Sequence, residues 1–555
     1  MDMNIPGHLQ QSLGEAAQFA RNGNFQAAES ILTNLLTQNS EREIILLALL
    51  ELYTEYQRPM EAIEILRSLL QLVPGSLAYC ERLATILAGL GQYGTAIKEY
   101  RNFIAGNPAS ANAWFNLALL YKKAKQYQQA ISSYEEAINL GVSGQEEVYS
   151  NLGVLYSDMR DAEMAMKMYS RSLEIAPGYI PAMFNMAGLY EERGEREQAE
   201  ELYQAILELE PRHYDSLSRL AYAEKVSEED DNLLFALENA AKDAKEWSVE
   251  RESVLFALGK AHDDLEQYDR AAEFYDMANR IGEHRNNPYV REELEQSFDQ
   301  VIKVFSASSI EQRKTASTAT PIFICGMFRS GSTLLEQLLS SHREITAGGE
   351  LDNIQWLIQK KILPFPEQVL SLSSADLASI SDEYLDMLRE VFTDSTCVTD
   401  KQPDNYVLLG LIKILFPNCK IIYTRREMLD NCLSIYFQQL GAKLNYATDM
   451  QHIVHYYRQH ERLVQHWQEC FGENIFTVDY DRIVHEPETQ LRAVVEFLEL
   501  DWDPTCLEPG TSDNLVKTAS VWQVREDLHS RSIGRWMHYP SLFRDIEGVV
   551  VDTPA

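Results

Sequence analysis

The chain has 555 residues with 49 Lys plus Arg against 84 Asp plus Glu, a formal net charge of −35. That length exceeds one hydrophobic core and divides into two or more domains, and so acidic a surface repels nucleic acid and anionic membranes, so any anionic ligand needs a local cluster of cations. The seven cysteines are odd in number and scattered, with no C-x-x-C pair, which argues against a disulfide framework or a structural zinc site and fits a reducing compartment. No apolar run approaches the roughly 20 residues of a membrane helix, and the first residues lack a basic stretch followed by an apolar one, so the expectation is a soluble cytoplasmic protein.

Along the first half, small residues recur at a fixed period. Ala28, Ala62, Ala96 and Ala130 are 34 apart, Ala165 follows after 35 and Ala199 after 34. The unit around Trp114, Leu117 and Tyr121, then Tyr127, Ala130 and Tyr134, has helical spacing on both of its halves. Pro74, Pro108, Pro177 and Pro211 fall where units end, because proline stops a helix. The pattern resembles the tetratricopeptide repeat, a helix pair of 34 residues, with six clear units, a degenerate one near 214–246 and another at 257–278. The aromatic residues of the array read as core. Such an array offers a groove for a protein or peptide partner, with dimerisation or a passive scaffold as the other roles left open.

The low-complexity stretch 306–320 marks the expected linker between a repeat array at 1–305 and a second domain at 321–555. Beyond it, "PIFICG", "CVTDK", "CKIIYTRR" and "NIFTVDY" read as buried strands, and "TLLEQLLSSH", "LLGLIKILF" and "ETQLRAVVEFLEL" as helices. This alternation predicts an α/β domain with a mainly parallel sheet, whose ligands bind at the carboxyl ends of the strands.

One loop sits at such an end. In "PIFICGMFRSGSTLLEQLL", Gly326 and Gly331 are five apart, and Ser332 and Thr333 follow, so the loop has the frame of a P-loop with Ser332 where the lysine belongs. Backbone N–H groups and the start of the next helix can still hold a phosphate, and Arg329 inside the loop supplies a fixed charge. No acidic strand end presents itself for magnesium, which disfavours a P-loop kinase or GTPase.

This loop together with "KIIYTRREMLDNCLSIYF" resembles the two nucleotide-binding elements of sulfotransferases that use 3'-phosphoadenosine 5'-phosphosulfate (PAPS). The combination with repeats is similar to bacterial tetratricopeptide-repeat sulfotransferases, whose catalytic half is similar to tyrosylprotein sulfotransferases. The resemblance implies a repeat superhelix followed by a P-loop-like sulfotransferase domain, with PAPS as donor, adenosine 3',5'-bisphosphate (PAP) as product and no metal. It implies that Ser330, Gly331, Ser332 and Thr333 cradle the 5'-phosphate while Arg329 offsets charge on the moving group. Arg426 and Ser434, eight residues apart, would bind the 3'-phosphate, a spacing that favours Arg426 over Arg425. Glu350, 21 residues after Arg329, would be the general base, and Lys401 would stabilise the leaving oxygen. Ser520 would donate a hydrogen bond at the reacting group, Arg535 would add a donor-site cation, and Tyr480 would contact the nucleotide. His342 reads as structural. The implied acceptor is a protein or peptide hydroxyl, tyrosine by resemblance, presented by the repeats. A carbohydrate or small molecule is the alternative acceptor, and a nucleotide-binding scaffold without turnover the alternative class.

Overall fold

The computed structural model describes residues 7–38, 41–223, 225–227, 231–393, 397–507, 522, 528–544 and 546–549. They fall into two compact units, Met1–Ala182 and Met183–Ala555.

In the first unit ten helices follow one another in pairs, from Gly7–Arg21 with Phe25–Gln38 to Gln145–Asp158 with Ala162–Ile175. The 34-residue period has a steric origin: Ala28, Ala62, Ala96, Ala130 and Ala165 are each at most 1 % exposed, at points where two helices touch. Larger residues fill the rest of the contact within a pair, as where the Phe115 and Tyr134 rings meet edge to face at 5.7 Å. Helix starts are set locally: Asp161 accepts a hydrogen bond from the Met164 N–H at 2.9 Å, satisfying a donor that the first turn leaves open.

The second unit continues the helix pairs and adds the sheet. Ala199 is again fully buried. Helices Val249–Asp264 and Tyr268–Arg285 form the last pair. Their apolar face joins the α/β half: Tyr275 stacks on Phe437 at 3.8 Å and 11°, and the Asn279 amide donates to the Tyr436 carbonyl at 2.8 Å. Leu217, Phe256 and Tyr275 thus share one core with Met327, Leu433 and Tyr539. Helix Arg291–Val304 turns Phe298 and Val301 into the core beneath the sheet, with Phe305 just beyond its end. The stretch 306–320 holds a helix over Ala307–Arg313, and the Thr315 hydroxyl donates to the Leu415 carbonyl at 2.7 Å.

The sheet has five strands, β1 (Ile322–Gly326), β2 (Thr346–Ala347), β3 (Val398–Lys401), β4 (Lys420–Arg425) and β5 (Ile475–Asp479), in the order β2-β3-β1-β4-β5, all parallel. β1 is buried on both faces, as an inner parallel strand must be. Phe323 and Cys325 face the core of Tyr384 and Trp467, and Ile322 and Ile324 face the core of Leu335 and Val495. The four strands expected from apolar runs are present, and the two-residue β2 had no such signal. Helices Ser332–Ser340, Asn405–Leu415 and Pro487–Phe497 lie on the segments read as helical. Among the described residues no helix is long and apolar enough to cross a membrane.

Helix Met450–Phe471 carries a titratable group into the core. His460 is fully buried, neither ring nitrogen is hydrogen-bonded to any of the described residues, and its ring stands at 89° to that of Tyr406, 4.4 Å away. Burial pushes its pKa down to about 3. An unfolded chain protonates this histidine near pH 6.5, so stability from the neutral form is present above about 6.5 and is lost as pH falls toward about 3. We expect His460→Leu to lessen acid sensitivity, by about 2 kcal/mol at pH 5 relative to pH 7.5 for the single proton involved. Urea unfolding of both proteins at the two pH values checks this, and an equal acid loss in the two proteins would rule it out.

Candidate active site

β1 ends at Gly326 and the chain turns through Met327–Gly331 into helix Ser332–Ser340. Two backbone features shape this loop. Arg329 has φ +66°, a left-handed conformation that costs a non-glycine residue roughly 1 kcal/mol and is held by the surroundings. Gly331 has φ +94°, and a Cβ there would lie 2.5 Å from the Tyr480 ring, so glycine lets that ring close over the loop. Below, the Ser330 and Thr424 hydroxyls share a hydrogen bond at 2.7 Å, tying the loop to β4.

β4 and the helix after it bring the second group of residues to the same place. The Arg426 guanidinium donates to the carbonyls of Arg329 at 3.2 Å and Ser532 at 2.5 Å, and lies 4.9 Å over the Tyr480 ring. Arg329 Nε donates to the Ser434 hydroxyl at 3.2 Å, and the Asn431 amide to the Phe328 carbonyl at 2.9 Å. Arg425 points elsewhere: it is half-exposed and paired with Asp479 at 2.7 Å. Asp430 accepts from the backbone N–H groups of Gly534 at 2.6 Å and Trp536 at 3.0 Å, which brings Arg535 alongside. Arg535 is held by Asp263 of the last repeat pair and sits over the Phe437 ring at 5.2 Å.

Three guanidinium groups therefore converge in an acidic protein. Burial, followed by the neighbouring Arg426, pulls the Arg329 pKa down to about 10. Burial also lowers that of Arg426, where Arg535 adds to the effect. For Arg535 burial is the largest influence and acts downward, but Asp263, Tyr275 and Tyr539 together outweigh it, and the net direction is upward. Arg426 Nε is buried without a hydrogen-bond partner among the described residues. A desolvated, mutually repelling set of cations with an unpartnered N–H suits an anion with several acceptor oxygens. Tyr222, from a repeat helix, lies close enough to Arg329 for the guanidinium to act on its hydroxyl.

The other strand end supplies a carboxylate and an ammonium group. Thr399 and Lys401 project to one side of β3, since side chains alternate along a strand. Lys401 Nζ, with a side chain fully buried, donates to Glu350 Oε1 at 2.8 Å, whereas Glu350 is 37 % exposed. Glu350 is positioned by Gly348 and Gly349: a Cβ on Gly348 would lie 2.1 Å from the Thr399 carbonyl oxygen, and the Gly349 carbonyl accepts from the Lys401 N–H at 3.0 Å. Glu336, buried on the helix that follows the loop, accepts from the Gly349 N–H at 3.0 Å and the Thr399 hydroxyl at 2.5 Å.

The structure thus gathers Arg329, Ser330, Gly331, Arg426, Ser434 and Tyr480 around one loop, with Ser332 and Thr333 opening its helix. Glu350 and Lys401 form a pair at the end of β3, and Arg535 adjoins Arg329 and Arg426. Ser520 lies outside the described residues. His342 is buried, its Nε2 hydrogen-bonded to the Asp501 carbonyl at 2.8 Å, a structural arrangement. Glu336, Asp430 and Asn431 were not anticipated. A signal for Glu336 exists, since it stands among Leu334, Leu335, Leu338 and Leu339 on a short helix with little polar face. Among the described residues no cluster of His, Cys, Asp and Glu is arranged to hold a metal ion.

Residues 321–504 match the model of the sulfotransferase family, and residues 82–141 and 157–221 match tetratricopeptide-repeat models. A protein of Aquifex aeolicus (strain VF5) is 33 % identical over 304 residues, covering 52 % of this chain and 40 % of that protein. Protein-tyrosine sulfotransferase 2 of Gallus gallus is 24 % identical over 250 residues, covering 40 % of this chain and 64 % of that protein. The chain therefore spans less than two thirds of the length of either relative. A solved structure, the sulfotransferase domain from the Synechococcus PCC 7002 olefin synthase, is 20 % identical, with a TM-score of 0.30 over 43 % of this chain and 91 % of that one.

Glu336→Ala would leave the Gly349 N–H and the Thr399 hydroxyl without their buried acceptor, a loss of about 1–3 kcal/mol. We expect a lower melting temperature together with faster amide exchange at Gly348 and Gly349. Unchanged exchange at those two amides would show that Glu336 does not hold the Glu350 segment.

Proposed function

We propose that this chain, a sulfotransferase-family domain joined to tetratricopeptide repeats, transfers a sulfuryl group from PAPS to an acceptor hydroxyl on a polypeptide, tyrosine being the residue favoured by similarity to protein-tyrosine sulfotransferases. The observation that carries the reading is the convergence of Arg329 and Arg426 on one strand-end loop, with the Glu350–Lys401 pair at the neighbouring strand end.

Each group has a task that its surroundings suit. The loop N–H groups and the start of helix Ser332–Ser340 take the 5'-phosphosulfate, and Arg329 faces the sulfuryl oxygens. Arg426, with its unpartnered Nε, and Ser434 take the 3'-phosphate, while Tyr480 offers a ring beside them. The acceptor oxygen attacks sulfur as the bond from sulfur to the bridging phosphate oxygen breaks. The hydroxyl proton passes to Glu350, which is exposed enough to meet an incoming group, and PAP leaves with the bond's electron pair. Lys401 has three N–H donors, one engaged with Glu350, so the same ammonium group can also stabilise the departing oxygen. Thr399 and Glu336 keep the two ends in register. The repeats would bring the acceptor to this site, a role in line with the protein-binding use of such arrays. Seven free thiols fit a cytoplasmic setting.

Calorimetry with PAP and with ATP, with and without magnesium, tests the donor site. We expect magnesium-independent binding of PAP, preferred over ATP and weakened at least about 30-fold in Arg426→Ala, the equivalent of a charge-assisted contact to phosphate. Preference for ATP with magnesium would overturn the donor assignment. Glu350→Gln should retain PAP binding within a few-fold and lower transfer of labelled sulfate to acceptor by roughly 100-fold or more, as loss of a general base does. Full activity in that variant would remove Glu350 from the mechanism.

A further inference from the structure

The segment 532–539 passes between the loop after β1 and the last repeat pair, and it is held from both sides. On the sheet side, helix Met428–Tyr436 follows Arg426 and carries Ser434 and Asp430. The Asp430 carboxylate accepts from the N–H groups of Gly534 at 2.6 Å and Trp536 at 3.0 Å, and the Ser532 carbonyl accepts from Arg426 at 2.5 Å. On the repeat side, Asp263 at the end of helix Val249–Asp264 uses both of its oxygens. One accepts from Arg535 Nη2 and the other from the Tyr539 hydroxyl.

The surroundings keep this contact in one geometry. The Asp263 side chain is 14 % exposed and that of Arg535 28 %. The Arg535 guanidinium lies 5.2 Å over the Phe437 ring, which is stacked on Tyr275 of the repeat helix Tyr268–Arg285 and met edge-on by Tyr539 at 4.8 Å and 76°. Tyr539 also meets Tyr268 edge-on at 5.5 Å. The same core reaches the loop after β1, where Met327 is buried with Leu217 and Phe256 from repeat helices.

Repulsion between like charges is what this contact opposes. Arg535 lies near enough to Arg329 and Arg426 to disfavour their charged forms, so the two in turn push it away from the place where a polyanion would meet it. The loop Met327–Gly331 contains no carboxylate, and Asp430 is engaged with the backbone of Gly534 and Trp536. The counter-charge in contact with Arg535 comes from Asp263, and the Tyr539 hydroxyl orients that carboxylate. Without it, repulsion and hydration would carry the guanidinium outward. Removing the negative charge of Asp263 would help an anion less, because that charge is already offset by Arg535.

We propose that Asp263, a residue of the repeat array, is a positioning residue for anion binding at the loop after β1, holding Arg535 beside Arg329 and Arg426 so that the ligand meets three guanidinium groups. The inference rests on the donor reading above for the identity of the ligand. It makes the last repeat pair a working part of the donor site.

Calorimetry on the full chain, with PAP and separately with inorganic pyrophosphate, compares wild type, Asp263→Asn, Arg535→Ala and the double variant. Each single substitution should weaken PAP binding about tenfold, the scale of one charge-assisted contact, and Asp263→Asn should have no further effect in the Arg535→Ala background. A residue that only supported the fold would lower affinity in both backgrounds. Tyr539→Phe, a second variant, removes the other contact of Asp263 and should keep PAP binding within about threefold of wild type. Unchanged PAP binding in Asp263→Asn, a loss of equal size in both backgrounds, or a comparable loss in Tyr539→Phe overturns the proposal and leaves the donor reading in place. Binding of pyrophosphate but not PAP, with the effect of Asp263→Asn again confined to chains that keep Arg535, counts against the donor reading alone and supports the positioning role. Binding of neither anion overturns both.

Discussion

The carboxylate of Glu336 joins the two halves of the candidate site. It sits on the helix that follows the loop after β1, accepts from Gly349 and Thr399, and so connects that helix to the segment carrying Glu350 and to the strand carrying Lys401. A buried carboxylate is costly unless its lone pairs are filled, and here the partners that fill them belong to the elements that must stay in register. The requirement for small residues at Gly348 follows from the same closeness, because any side chain there would press on the Thr399 carbonyl. The Glu350 segment is thus positioned relative to the loop after β1 by ordinary strand and helix contacts.

Charge is handled in a similar way. With a net charge of −35 the chain has no surplus of cations, so the three guanidinium groups near the loop have been concentrated by the fold. The pKa values of two of them are lowered, first by burial and then by a neighbouring guanidinium, and the third is anchored by Asp263 from the final repeat pair. That anchor makes the last repeats part of the site's framework. Tyr275, Phe437 and Tyr539 continue the connection as packing, and Tyr222 brings a repeat residue toward Arg329. Elsewhere in this unit Asp404 lines a cavity together with Tyr289, Tyr446 and Tyr456.

Much of this architecture was legible in the sequence because it follows from short-range rules. An alanine every 34 residues marks helix contacts wherever it is found, and the buried Ala28 and Ala130 obey that rule. Apolar runs four to six residues long mark inner parallel strands. The loop frame from Gly326 to Gly331, and the choice of Arg426 over Arg425, came from spacing, and the half-exposed pairing of Arg425 with Asp479 is consistent with that choice. Other features carried no such mark. β2 is too short to show a pattern, and Asp430 acts through the backbone of Gly534 and Trp536, more than a hundred residues away. The apolar residues of helices Val249–Asp264 and Tyr268–Arg285 looked like repeat core, yet part of that face is core shared with the sheet half.

By itself the sequence determined the repeat and the parallel α/β half, and it set the expectation of a phosphate-binding loop after the first strand, since each is a matter of local spacing and side-chain chemistry. Only the tertiary structure decided that Arg535 is held by a repeat aspartate, that Glu336 ties the Glu350 segment to the helix after β1, and that Asp404 and Tyr446 share a cavity. Those relations join residues tens to hundreds of positions apart, and what brings them together is the packing of apolar faces, which constrains distance in space without leaving a period in the chain.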